Sequence, residues 1–278
     1  MRCAWDSLLG ILPPWMRSDV NKLGNNDLQE LRLSINQQPQ LWKRSGRQVL
    51  NRLITAEDIH FCINVASRYS PWATTTMAQG YLSAPGGHRI GLCGEAVCKH
   101  GQVETVRSVG SLCIRVARDF PGIGNGVPNS GSILILGAPG WGKTTLLRDL
   151  IRNRSNAGIR TAVVDERGEL FPADVFSSGQ CTDILTGCIK YQGIYMLLRA
   201  MGPMCIAVDE ITQPEDCTAL IQAAGCGVTL LATAHATSVQ DLMQRPVYKA
   251  LLDARIFQQV LILRQDKSWQ MERIQYDF

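Results

Sequence analysis

Gly137-Ala138-Pro139-Gly140-Trp141-Gly142-Lys143-Thr144 satisfies the pattern G-x-x-x-x-G-K-[ST] at every fixed position. An apolar run at 133–136 precedes it and a helix-like stretch at 144–153 follows. A strand that delivers the chain to a glycine-rich turn lets successive backbone N–H groups converge. The helix N-terminus behind the turn adds positive potential, so a polyphosphate is held by main chain. The expected nucleotide-binding residues are Gly137, Ala138, Pro139, Gly140, Trp141, Gly142, Lys143, Thr144 and Thr145. Lys143 is expected to reach the β/γ-phosphates and Thr144 to ligate Mg²⁺. The cofactors implied are ATP and Mg²⁺.

Working outward, apolar runs at 133–136, 161–164, 205–208 and 228–232 are continuous rather than alternating, as in strands covered on both faces. Helical stretches at 144–153, 194–201 and 214–224 fall between them, the last opened by Pro214 and stopped by Gly225. That order predicts an α/β domain with a mainly parallel sheet, and 260–264 with 269–274 predict an antiparallel edge hairpin. The first half reads differently. Trp5, Leu8, Leu9 and Leu12 form one face of a short helix ending at Pro13-Pro14, packed on a core or turned to a membrane. Residues 31–35 alternate as a strand. Thr55 with Asp58 forms a helix-starting cap ahead of Ile59, Cys62, Ile63 and Ala66. From 81 to 116 the segments are alternating and glycine-punctuated, as in hairpins. The expected domains are therefore a smaller α+β domain over 1–120, a glycine- and proline-rich linker over 121–131, and the ATP-binding domain over 132–278.

Among the 278 residues, 28 basic and 24 acidic side chains give a net charge of +4 with no block of one sign. This speaks against a dedicated nucleic-acid surface. No uninterrupted apolar run approaches the roughly 18 residues of a membrane span, so a cytoplasmic chain is expected. Ten cysteines without a C-x-x-C pair fit a reduced compartment. His88, Cys93, Cys98 and His100 could be gathered as a metal cluster, but alternation along a hairpin accounts for them equally well.

Several strands end in charge. Cys205-Ile206-Ala207-Val208-Asp209-Glu210 ends in two acids. On a strand beside the phosphate loop, Asp209 would hold the Mg²⁺ shell and Glu210 would orient and polarise the attacking water. Thr161-Ala162-Val163-Val164 leads into Asp165-Glu166-Arg167-Gly168-Glu169. Parallel strand ends share one rim, so Glu166, with Asp165 or Glu169, either shares the water-activating work or pairs with Arg167 and neighbouring cations. Leu230-Leu231-Ala232-Thr233-Ala234-His235 places His235 on the same rim, to sense the γ-phosphate or to be satisfied by a carbonyl. Arg89, with Arg107 and Arg115, could supply a guanidinium to a neighbouring subunit's phosphates or could brace its own domain.

These strand ends combine with Glu30-Leu31-Arg32-Leu33, Gly80-Tyr81, Gly86-Gly87-His88-Arg89-Ile90-Gly91-Leu92-Cys93-Gly94, Ser111-Leu112-Cys113-Ile114-Arg115-Val116-Ala117-Arg118 and Arg245-Pro246. In that order they resemble the stage III sporulation protein AA family, ATPases of endospore formers related to type II secretion and type IV pilus motors. The resemblance covers nearly the whole chain. It departs from the family pattern at Ile189 in Cys188-Ile189-Lys190, where a proline is expected, and from many secretion motors at Asp209, where they carry glycine. The resemblance implies a RecA-like P-loop NTPase domain behind a smaller N-terminal domain, assembled as a hexameric homo-oligomer. It also implies a place at the cytoplasmic face of a membrane, through membrane proteins of a sporulation or secretion channel, with no stable nucleic-acid partner. The competing expectations are a nucleic-acid-dependent ATPase and a nucleotide-binding scaffold without turnover.

Overall fold

The computed structural model describes residues 1–67, 77, 78, 80–172 and 176–274. The chain forms two compact units, Met1–Asp119 with Pro172–Val175, and Phe120–Phe171 with Phe176–Phe278.

In the first unit, helices α1 (Trp5–Ile11), α2 (Pro14–Leu23) and α3 (Ala56–Ala66) accompany strands β1 (Leu28–Ser34), β2 (Gln40–Lys43), β3 (Gly46–Val49), β4 (Tyr81–Ser83), β5 (Arg89–Lys99) and β6 (Gln102–Arg115). The strands form one antiparallel sheet in the order β3-β2-β1-β6-β5-β4. Alternation decides its faces: Leu31, Leu33, Ile90, Leu112 and Ile114 are buried in one core with Leu8, Ile11, Leu12, Ile59 and Cys62 of the helical segments. The amphipathic N-terminal helix therefore packs on the core. The Thr55 cap forms as the sequence predicts: its hydroxyl accepts from the Asp58 amide, and the Asp58 carboxylate accepts from the Thr55 amide.

The β5–β6 hairpin turns at His100 and Gly101, both at positive φ. At Gly94 the hairpin is irregular, and an added Cβ would lie 2.5 Å from the Arg107 carbonyl oxygen, so only glycine fits. The candidate metal cluster does not assemble. Cys93 and Cys98 are exposed, whereas His88 is fully buried, and no metal-holding group of three such side chains occurs among the described residues. His88 Nδ1 accepts from the Ala117 amide at 3.1 Å, which puts the ring proton on Nε2, 3.0 Å from the Ala4 carbonyl. Burial pushes its pKa below the ordinary value, so the ring is a neutral brace.

The second unit holds β7 (Ile133–Leu136), α4 (Lys143–Asn156), β8 (Thr161–Asp165), β9 (Thr182–Thr186), α5 (Lys190–Ala200), β10 (Cys205–Val208), α6 (Pro214–Gly225), β11 (Thr229–Ala234), α7 (Val239–Met243), α8 (Lys249–Asp253), β12 (Gln259–Leu263) and β13 (Trp269–Arg273). The sheet runs β13-β12-β7-β11-β10-β8-β9, parallel except for the terminal β12–β13 pair. This is the mainly parallel sheet that the order of apolar runs predicts, in the RecA-like form that the resemblance implies. Every residue of β7, β8 and β10 is buried, which is why those runs are apolar without alternation. One expectation fails: β10 is not beside β7, because β11 lies between them.

Residues 121–131, expected as a linker, belong to the second unit. The buried Asp149 carboxylate of α4 accepts from the Gly122 amide at 3.0 Å and the Gly124 amide at 2.8 Å, and pairs with Arg152 at 2.6 Å. Asp149→Ala would leave a buried guanidinium without its carboxylate and two amides without an acceptor. We expect a loss of about 3–5 kcal/mol, read from the denaturant unfolding of the second unit. A change within experimental error would show that the segment is not held by this contact.

Candidate functional site

At the end of β7 the chain enters the loop Gly137 to Gly142, where the Trp141 amide donates to the Ala138 carbonyl at 3.2 Å. Gly140 and Gly142 stand at φ +75° and +104°, a region that side chains disfavour. Helix α4 opens directly at Lys143 with no side-chain cap and no acid in its first turn. Its leading amides and dipole therefore face the loop as a positive end. This is the cradle a phosphate chain fits, and Thr145 continues the same first turn.

Lys143 is buried, and its three donors go to Gly137 O at 2.8 Å, Ala138 O at 3.2 Å and His235 Nδ1 at 3.0 Å. Burial lowers its pKa, with Asp209 and Glu210 opposing that shift. Since an ammonium only donates, Nδ1 accepts, the His235 proton sits on Nε2, and Nε2 donates to Glu210 Oε1 at 2.9 Å. The carbonyl alternative for His235 is thereby replaced: its ring bridges the loop lysine and an acid. Burial acts to raise the Glu210 pKa, but the hydrogen bond from His235 and the charges of Arg167 and Lys190 outweigh it and hold the carboxyl below its usual range. Arg167 lies 3.6 Å from the other carboxylate oxygen.

Asp209 reaches the loop although its strand is one removed from β7. The Thr144 hydroxyl donates to Asp209 Oδ2 at 2.6 Å, and the Thr233 hydroxyl of the intervening β11 donates to Oδ1 at 2.6 Å. A threonine hydroxyl and a carboxylate converging beside a phosphate cradle are the hard oxygen donors that suit Mg²⁺. These residues fit the cofactor expected for them.

The acidic segment that ends β8 lies on the same rim as Asp209 and Glu210. Asp165 is buried, and its carboxylate accepts from the amides of Glu169, Leu170 and Phe171 at 2.9–3.2 Å, so it shapes the loop. Burial raises its pKa, and the hydrogen bonds from the Phe171 and Leu170 amides oppose the rise. Glu166 is paired with the buried Lys190 of α5. It meets the structural alternative, with Lys190 as the cation in place of Arg167, and Glu210 is the acid that contacts His235. Asp165, Glu166, Arg167, Lys190, Asp209 and Glu210 line one small cleft. Arg89 is in the first unit, its guanidinium 4.2 Å from the Tyr81 ring centre, and Arg115 lies 3.8 Å from Glu30.

Thr233 and Lys190 contact Asp209 and Glu166 of the candidate site, a placement that nothing along the chain marks. No local signal says which strand separates β7 from β10 or which acid a helix-opening lysine meets.

The family model for sporulation stage III, protein AA matches residues 14–277. Stage III sporulation protein AA of Bacillus subtilis (strain 168) is 36% identical over 279 residues, covering 93% of this chain and 90% of the relative. The Legionella pneumophila ATPase DotB superposes with a TM-score of 0.59 at 18% identity, over 94% of this chain and 80% of that one. The pilus retraction motor PilT, solved with bound ADP, gives 0.63 at 16% identity, over 89% and 76%. At such identities the two structures establish the shared fold, whereas the family match and the Bacillus relative extend over nearly the whole sequence, and the chain belongs to the sporulation stage III protein AA family.

Proposed function

We propose that the chain hydrolyses ATP to ADP and phosphate in a Mg²⁺-dependent reaction and works as the motor of a sporulation or secretion-type apparatus. In this reading it acts as a homo-hexameric ring at the cytoplasmic face of a membrane, held there by membrane proteins. The observation that carries it is the continuous contact from Lys143 through His235 to Glu210, beside the Thr144–Asp209 pair.

Lys143 and the opening amides of α4 hold the phosphates. Thr144 and Asp209 hold Mg²⁺, which when bound neutralises phosphate charge. Glu210 is ionised at neutral pH and accepts the proton of the attacking water. A phosphate oxygen that accepts a hydrogen bond from Lys143 would compete with His235 Nδ1, so phosphate occupancy would be felt by the ring that contacts Glu210. Turnover with Mg²⁺ and its loss with a chelator test the reaction, and particle size with and without nucleotide tests the ring. No hydrolysis under any of these conditions would favour a nucleotide-binding scaffold.

A second reading, nucleic-acid-dependent turnover, has one observation in its favour. Trp42 is exposed on β2 opposite Arg47 of the edge strand β3, next to Lys43 and Arg44. Stimulation by single-stranded DNA, with none by anionic vesicles or membrane partners, would select it.

Arg89 is the candidate guanidinium supplied across a subunit boundary, worth on the order of 10³-fold in rate. Arg89→Ala and Lys143→Ala proteins, each inactive alone, should regain activity in mixed rings, where some sites have an intact loop and an intact neighbouring arginine. Rings shown to be mixed yet still inactive would leave Arg89 as a structural residue or a contact within its own subunit.

A further inference from the structure

We infer that Thr233 is the positioning residue that joins the magnesium carboxylate and the water-activating carboxylate into one unit, an inference that rests on the ATPase reading above. Its hydroxyl has one proton to give and lone pairs to receive. It donates to Asp209 Oδ1 at 2.6 Å and accepts from the Glu210 backbone N–H at 2.7 Å. The residue is fully buried, so water does not replace either contact.

The second of these contacts bears on backbone shape. Glu210 stands at φ +55°, a left-handed conformation that non-glycine residues seldom adopt. Capture of its amide by Thr233 holds that turn. The turn in turn aims the carboxylate at His235 Nε2. The first contact fixes the Asp209 oxygen that faces away from Thr144, so the carboxylate cannot rotate off the Thr144 hydroxyl. One hydroxyl therefore sets the direction of two neighbouring acids with different tasks. It can do so only because β11 lies between β7 and β10 and places Thr233 level with the end of β10.

Thr233→Val keeps the shape and removes the hydroxyl, whereas Thr233→Ser keeps the hydroxyl. In the protein without nucleotide, amide hydrogen exchange at Glu210 is expected to speed up about tenfold in the valine variant and to stay near the parent rate in the serine variant. In ATP titrations without Mg²⁺ both variants should match the parent. The Mg²⁺ concentration for half-maximal turnover should rise, and kcat should fall, by about 10–100-fold in the valine variant alone.

Parent-like exchange and Mg²⁺ requirement in the valine variant would overturn the inference, as would a serine variant as impaired as valine. If valine prevents folding, Thr233→Ala removes the same hydroxyl from a smaller side chain and is read in the same way. A parent protein that binds no ATP would overturn the ATPase reading, and this inference with it. Parent turnover with an indifferent valine variant would remove the Thr233 role alone.

Discussion

Lys143→Ala should abolish nucleotide binding while the melting temperature of the chain stays close to that of the parent. The ammonium reaches from α4 into the phosphate loop, and its hydrogen bonds to phosphate are charge-assisted. Each is worth about 1.5–3 kcal/mol, so losing even one of them weakens binding by about 10–150-fold, and turnover falls with occupancy. Folding should tolerate the change because the lysine's burial already lowers its pKa, a sign that the charged form is held at some cost. Its partners, the Gly137 and Ala138 carbonyls and His235, all lie on the rim of the sheet. Calorimetric titration with ATP and Mg²⁺ checks the result. Unchanged affinity would mean that the loop is a glycine-rich turn without a ligand.

Glu210→Gln should bind ATP as well as the parent does and hydrolyse it about 10²–10⁴-fold more slowly. The amide preserves the shape, and its oxygen can still accept from His235 Nε2, so the chain of contacts back to Lys143 survives. What is lost is the capacity to take a proton. The sign of the pH dependence follows from the depressed pKa: Glu210 is ionised throughout the neutral range, and parent turnover declines only when the pH falls below the usual carboxylate range. That acid limb should be missing from the residual activity of the variant. Glu166→Gln, which breaks the pair with Lys190, should have the smaller effect on turnover. The reverse order, with Glu166→Gln slow and Glu210→Gln normal, would move the water-activating role to the segment after β8.

The sequence by itself determined whatever depends on neighbours along the chain. The phosphate loop is such a case, since its glycines and the helix behind it set the local backbone wherever they occur. So are the Thr55 cap, the buried strands with their unbroken apolar runs, the hairpins of the first unit and the family to which the chain belongs. Strand β9 escaped notice because it lies on an open edge with mostly exposed or half-exposed residues, and such a strand carries no apolar pattern. The 121–131 segment read as a tether because glycine composition says nothing of the Asp149 carboxylate that receives its amides. Above all, tertiary structure decided the contacts of the acids. Asp165, Glu166, Asp209 and Glu210 all follow apolar strands and look alike in the sequence. They differ because crossovers through helices fix a lateral strand order that no local signal records, and that order puts Lys190 beside Glu166, His235 beside Glu210 and Thr233 between the two halves of the site.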